Sequence, residues 1–222
     1  MKVLISGSSS GIGLATCKYF LDKGYDVFGL DLKEKALNHK NYHHFICDIS
    51  HKDSLPDIEG INYLFNNAGT QNSEDDIKNN LVGTINVTEK YGLQKDIKSI
   101  LFNASASATS GFEFSRYVAS KSGIVGYMRY VASEVAKYGA TANSISLGGV
   151  LTDSNKPVME DKKSWDKIMK ITPLKKWMSL DEVVEWVDFL LTKNKSMSGE
   201  DLLIDNGEYR LNNTFVWPKG VR

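Results

Sequence analysis

Short apolar runs alternate along this chain with longer stretches in which apolar residues recur every three or four positions. Val3-Leu4-Ile5 is the first such run, and its make-up predicts a buried strand. A glycine-rich turn from Gly7 to Gly13 follows, and then a helical pattern with Ile12, Cys17, Phe20 and Leu21 facing inward. The same reading predicts strands at 26–31, 43–48, 62–69, 99–105, 141–147 and 202–205. It predicts helices where Ile77, Leu81, Ile85 and Thr88 repeat, from about Arg116 to Tyr138, and in the amphipathic stretch from Leu180 to Leu191. The segment 32–42 is polar and loop-like. The charged stretch from Asp153 to Lys170 predicts a mobile loop with one short helix. The tail 208–222 carries Tyr209, Phe215 and Trp217 without periodicity, and reads as an oligomer contact or lid.

Strand and helix alternate from end to end, with no repeat, linker or low-complexity block. That order predicts an α/β fold: one domain over 1–222, built on a parallel sheet of about seven strands with helices on both faces. In such sheets ligands bind beyond the carboxyl ends of the strands. Gly7 to Gly13, Asp31, Asp48, Asn67, Ser105 and Gly148 all fall at such ends, so the candidate chemistry converges on one edge.

Composition narrows the classes. A chain of 222 residues can bury a core without disulfides or metal. Lys plus Arg and Asp plus Glu are both 27, which gives no footprint for nucleic acid or a membrane surface. Cys17 and Cys47 form no C-x-x-C pair, and His39, His43, His44 and His51 have no acid or cysteine at metal-ligand spacing, so no metal site is read. No leader and no apolar run of membrane length is evident. The expectation is a soluble cytoplasmic protein.

Strand, glycine turn and helix in that order place backbone N–H groups at a helix N-terminus, which suits a pyrophosphate. The spacing here is G-x-x-x-G-x-G. Asp31 lies 18 positions after Gly13, close to where a carboxylate holds the ribose 2′-hydroxyl of NAD. That charge would repel the 2′-phosphate of NADP, although Lys33 is close enough to soften the selectivity. Asp48 or its neighbouring backbone is placed to meet the adenine. Tyr117 and Lys121 are four residues apart, on one helix face. A phenol titrates near ~10, and a nearby ammonium favours its ionised form. Bringing it near neutrality takes roughly 4 kcal/mol, more than one lysine readily supplies, but within reach of a lysine plus a cationic cofactor ring. Y-x-x-x-K alone is a common spacing and also fits a plain surface helix.

Taken as a set, Gly7-x-x-x-Gly11-Ile12-Gly13, Asn66-Asn67-Ala68-Gly69, Asn80-Leu81-Val82-Gly83, Ser105, Tyr117-x-x-x-Lys121, Asn143-Ser144, Gly148-Gly149-Val150-x-Thr152, Pro173-Leu174 and Ile204-Asp205-Asn206-Gly207 resemble the short-chain dehydrogenase/reductase family, in order over roughly residues 2–207. The resemblance implies a Rossmann-like doubly wound domain and an NAD(H)-dependent oxidoreductase interconverting a secondary alcohol and a carbonyl. Tyr117 would be the general acid/base. Lys121 would hold the nicotinamide ribose and lower the tyrosine pKa, Ser105 would bond the substrate oxygen, and Asn80 would anchor a water leading protons to Lys121. Gly7, Ser9, Ser10, Gly11, Ile12, Gly13, Asp31, Asp48, Ile49, Asn67, Ala68, Gly69, Gly148, Val150 and Thr152 would hold the cofactor with Tyr117 and Lys121. Neutral Ser10, where NADP enzymes often carry a base, favours NAD along with Asp31. Family habit implies a homotetramer or dimer and a small-molecule substrate.

Several positions depart from the pattern. Asn103-Ala104-Ser105-Ala106-Ser107 replaces N-x-S-S, so Ser107 is a reserve for Ser105. Leu147 stands in place of proline and Asn206 in place of glycine. The segments between Asp48 and Asn66 and between Gly69 and Asn80 are short, which trims helices on one side. Phe112, Phe114 and the 153–172 segment are expected to line the substrate pocket and suggest an apolar substrate body. A 3-oxoacyl-carrier-protein-type or hydroxysteroid-type reductase using NADPH is one alternative, and a catalytically silent NAD-binding sensor another.

Overall fold

The computed structural model describes residues 1–211; the expectation for the tail beyond Leu211 lies outside them. Its frame is β1 (Lys2–Ser6), α1 (Gly11–Asp22), β2 (Asp26–Asp31), β3 (Tyr42–Ile46), β4 (Tyr63–Asn66), α2 (Gly83–Tyr91) and β5 (Ser99–Asn103). It continues through α3 (Ser107–Ser110), α4 (Ser115–Val135), β6 (Thr141–Leu147), α5 (Lys156–Glu160), α6 (Lys162–Ile171), α7 (Leu180–Asp188) and β7 (Asp201–Ile204). The seven strands form one sheet in the order β3-β2-β1-β4-β5-β6-β7, and every pair is parallel. The order reverses between β1 and β4, the switch point at which such sheets hold ligands.

Alternation along β1 separates the two cores. Leu4 faces the layer that holds Val87 and Tyr91 of α2 and Met128, Val131 and Val135 of α4. Val3 and Ile5 face Cys17 and Phe20 of α1 and Val183 and Val187 of α7. A period of two in the strand thus puts neighbouring apolar residues into opposite layers, and a sheet covered on both faces reads as an unbroken apolar run.

Four expectations shift. The third strand starts at Tyr42 and ends at Ile46, because Asp48 turns the chain: its carboxylate accepts from Ser50 N–H at 2.9 Å and its carbonyl from Ser54 Oγ. No α-helix connects β3 to β4; a single 3₁₀ turn at Lys52–Ser54 remains, and Leu55, Ile58 and Ile61 fill that side of the core. The charged stretch forms two helices, α5 and α6, the second capped by Asp161, which accepts from Ser164 N–H at 3.1 Å. The helical repeat around Asn80 opens as a π-helical segment, Ile77–Val82, before α2 begins. Asn206 takes φ +56°, a left-handed backbone that asparagine tolerates better than most residues, so it stands in for a glycine there.

Candidate active site

The ends of β1, β2, β4, β5 and β6 meet at one edge. Gly7 has φ +71°, and a Cβ on Gly13 would lie 1.9 Å from the Gly7 carbonyl oxygen. A side chain at Gly13 would therefore break the contact between turn and helix. Beside this turn is a 460 Å³ cavity lined by Gly7, Ser10, Gly11, Ile12, Asp31, Asp48, Ile49, Asn67, Ala68, Gly69 and Thr152, among others. Ser9 and Gly13 shape the turn from behind that wall. The two oxygens of Asp31 accept from Ser9 N–H and Lys33 N–H, each at 2.9 Å, so the backbone fixes the carboxylate at the cavity edge. Asn67 ties three strand ends together: its Nδ2 donates to the Ser6 carbonyl at 3.1 Å and its Oδ1 accepts from Asn103 Nδ2 at 3.0 Å. The Ser9 hydroxyl is buried with no partner among the described residues. A close-packed glycine turn and a fixed acid around one cavity, with an unpaired serine hydroxyl within the turn, fit a dinucleotide.

A second cavity, 380 Å³, adjoins the first and shares Ile12 and Thr152 with it. Ser105, Tyr117, Gly148 and Val150 lie in its wall. Tyr117 stands in the first turn of α4, just past Phe114, and Ser105 just past β5. Ser107 is fully buried and outside that wall, so Ser105 is the serine presented with Tyr117. One turn after the tyrosine, the Lys121 ammonium lies 5.6 Å from the centre of the Tyr117 ring and donates to the Asn103 carbonyl at 2.7 Å.

Burial dominates the electrostatics. It pushes the Tyr117 phenol up to about 12; a hydrogen bond with Ser105 offsets part of this, while the charges of Glu113 and Asp76 add to it. Burial also pulls the Lys121 ammonium down to about 8, against the raising effect of Glu113 and Asp76. The protein alone therefore holds Tyr117 protonated. Ionising it requires positive charge from a bound group.

Asn80 is fully buried and its side chain is taken up by protein. Its Oδ1 accepts from Thr70 N–H at 2.7 Å, and its Nδ2 donates to the Thr70 carbonyl at 2.9 Å and to Ser120 Oγ at 3.0 Å. The side chain is thus a brace, with both amide N–H groups taken up by protein. Asp76 is fully buried and accepts from Thr70 Oγ1 at 2.7 Å.

The substrate-side wall differs from the sequence expectation. Phe112 and Phe114 are 79% and 46% exposed and stand outside the wall. The residue between them, Glu113, lines it, with Gln71, Trp177, Glu208 and Tyr209. From the 153–172 segment only Asn155, Val158 and Ile168 contribute. Periodicity carries no signal for a single acid between two aromatics, or for acids in a turn after the last strand.

A family model described as enoyl-(acyl carrier protein) reductase, one of the short-chain dehydrogenase/reductase models, matches residues 7–208. The chain belongs to the short-chain dehydrogenase/reductase family, and it is an oxidoreductase of that family with a nucleotide-binding Rossmann fold. It is 27% identical to the 3-oxoacyl-acyl-carrier-protein reductase FabG of Buchnera aphidicola subsp. Acyrthosiphon pisum, over 93% of this chain and 96% of that one. It is 29% identical to carbonyl reductase family member 4 of Xenopus laevis, over 91% and 95%. A solved 4-hydroxyisoleucine dehydrogenase complexed with NADH superposes with a TM-score of 0.86 at 27% identity, covering 94% of this chain and 98% of that one. Among the described residues no helix is long and apolar enough to cross a membrane.

Proposed function

We propose that this enzyme uses NAD(H) to interconvert a secondary alcohol and a ketone or other carbonyl, with Tyr117 as general acid/base. The observation that carries the reading is the convergence of Ser105 and Tyr117 on one cavity that shares Ile12 and Thr152 with the Asp31 cavity. When bound, the nicotinamide supplies or accepts the hydride. In the reductive direction Tyr117, held protonated, gives its proton to the oxygen on which charge develops. Ser105 donates a hydrogen bond to that same oxygen. Lys121, with its ammonium near neutrality, is suited to return the proton to Tyr117 and to hold the ribose. Val150 and Thr152 would meet the carboxamide, while Asp48 and Ile49 border the adenine end.

The fixed Asp31 carboxylate supports NAD over NADP, because it accepts a hydroxyl and repels a phosphate. A silent sensor would have no use for the assembled Ser105 and Tyr117. Exposed Ile77, Val82 and Tyr130 on the π-helical segment and α4 support a homo-oligomer, tetramer or dimer. The reading further places one cofactor-binding domain in the cytoplasm. The test is a titration with NADH and NADPH followed by a carbonyl and alcohol panel on wild type and Tyr117→Phe. Tight NADH binding and turnover that falls by about a hundredfold or more in the variant is the expected result. Full turnover by Tyr117→Phe would rule this mechanism out.

A further inference from the structure

The substrate-side cavity is acidic. Glu113 and Glu208 both lie in the wall that holds Ser105 and Tyr117, and among the described residues no lysine or arginine lines it. Each carboxylate has one hydrogen bond among the described residues, and both are long: Gln71 Nε2 donates to Glu113 and Thr172 Oγ1 to Glu208, each at 3.3 Å. Neither forms an ion pair with a described lysine or arginine. Burial raises both carboxyls above the usual range; the Gln71 hydrogen bond and the Lys121 charge offset part of this at Glu113, while Glu208 adds to it there and Asp205 adds to it at Glu208. Two weakly hydrogen-bonded carboxylates in one cavity wall are stabilised by a cation placed between them. A separate feature of the same wall also points to a polar ligand. Trp177 is 9% exposed, and its indole N–H has no acceptor among the described residues. An apolar substrate body would leave both carboxylates unpaired, and an anionic one would be repelled.

We propose that the substrate carries a cationic nitrogen, as an amino alcohol or amino ketone does, with its ammonium held by Glu113 and Glu208 while its oxygen meets Ser105 and Tyr117. This rests on the oxidoreductase reading above. In the oxidative direction the carbinol C–H bond breaks and its hydride passes to the oxidised nicotinamide cofactor. The O–H proton goes to Tyr117, a carbonyl forms, and the ammonium is unchanged.

Three alcohols of similar size separate the charges: 1-amino-2-propanol, 2-butanol and lactate, each assayed with saturating NAD on wild type, Glu113→Gln, Glu208→Gln and the double variant. The expected result is a wild-type order of cation over neutral over anion. The ratio of kcat/KM for 1-amino-2-propanol to that for 2-butanol should fall by about tenfold to a hundredfold in the double variant, the range for a lost charged hydrogen bond. A wild type that prefers 2-butanol or lactate, or a ratio unmoved in the double variant, overturns the inference while leaving the oxidoreductase reading intact. If wild type turns over none of the three, thermal stabilisation by 1-amino-2-propanol in the presence of NADH decides the charge question separately. A shift lost in the double variant supports the cation site, and equal or absent shifts overturn it.

Discussion

Lys121 Nζ donates to the main-chain carbonyl of Asn103 at 2.7 Å, which anchors the first turns of α4 to the end of β5. The ammonium is held in a buried place that pulls it down to about 8 from 10.5. In the unfolded chain it regains its ordinary value of ~10.4. Between those two values the unfolded state binds more protons, so folded stability rises with pH. The contribution is complete above the unfolded value, is lost as pH falls through the folded value, and is flat below it. Wild type should therefore gain on Lys121→Met by up to about 3 kcal/mol between about pH 7.5 and about pH 10. Denaturant melts of both proteins at the two pH values check this, and a gap that does not change with pH would count against it.

The edge of the sheet that carries the chemistry was legible because glycines, Asp31, Asn67 and Ser105 all sit where apolar runs end. The strands were legible for the same reason: a sheet covered on both faces needs unbroken apolar runs. The connection between β3 and β4 was readable as short, but not as free of α-helix, since Leu55, Ile58 and Ile61 are too few to show a period. Asp76 is the last of three consecutive acids, Glu74-Asp75-Asp76, and nothing in that run marks it as buried. Its burial depends on the connection after β4 folding back so that Thr70, six residues earlier, donates to it, which periodicity does not report. Glu113 was masked by its aromatic neighbours, whose size invited the pocket assignment that the backbone gives to the acid instead.

Asp31 can lose its charge without losing its shape. Asp31→Asn keeps one acceptor for the Ser9 or Lys33 N–H and removes the repulsion of a 2′-phosphate. The ratio of NADPH to NADH affinity should rise by about tenfold, as for one unfavourable charge contact removed. Fluorescence titration with both cofactors measures it. An unchanged ratio would transfer control of the 2′ position to Lys33 or the loop around it.

Gly13→Ala tests the turn. The added methyl would lie 1.9 Å from the Gly7 oxygen and 2.8 Å from Asn67 Nδ2, and backbone cannot yield as a flexible side chain does. Overpacking of this kind costs about 1–3 kcal/mol, and relieving it moves the turn that borders the dinucleotide cavity. The variant should melt lower and bind NADH at least about tenfold more weakly. Gly126→Ala is the control, because a Cβ there meets nothing within 4 Å. Equal NADH affinities in the two variants would contradict the close-packed turn.

Asn80 links the loop after β4 to the turn that carries Tyr117. Its Nδ2 donates to Ser120 Oγ, and Ser120 Oγ donates in turn to the Tyr117 carbonyl at 2.8 Å. Its Oδ1 holds the Thr70 N–H, and a Cβ on Gly69 would lie 2.9 Å from that oxygen. Asn80→Ala leaves the Thr70 N–H and carbonyl and the Ser120 hydroxyl with one partner fewer. The loss should be about 2–4 kcal/mol, since each buried group left unpaired costs about 1–3 kcal/mol and some rearrange. Asn80→Asp retains an acceptor for Thr70 N–H but sets a buried carboxylate oxygen against the Thr70 carbonyl, so it should be no more stable than alanine. In both variants kcat and NADH affinity should both drop, because the brace reaches Tyr117 through Ser120 and also holds Thr70, which lines the Asp31 cavity beside Gly69. Melting curves check the first expectation and steady-state kinetics the second. If kcat fell with NADH affinity unchanged, Asn80 would be supporting the tyrosine alone.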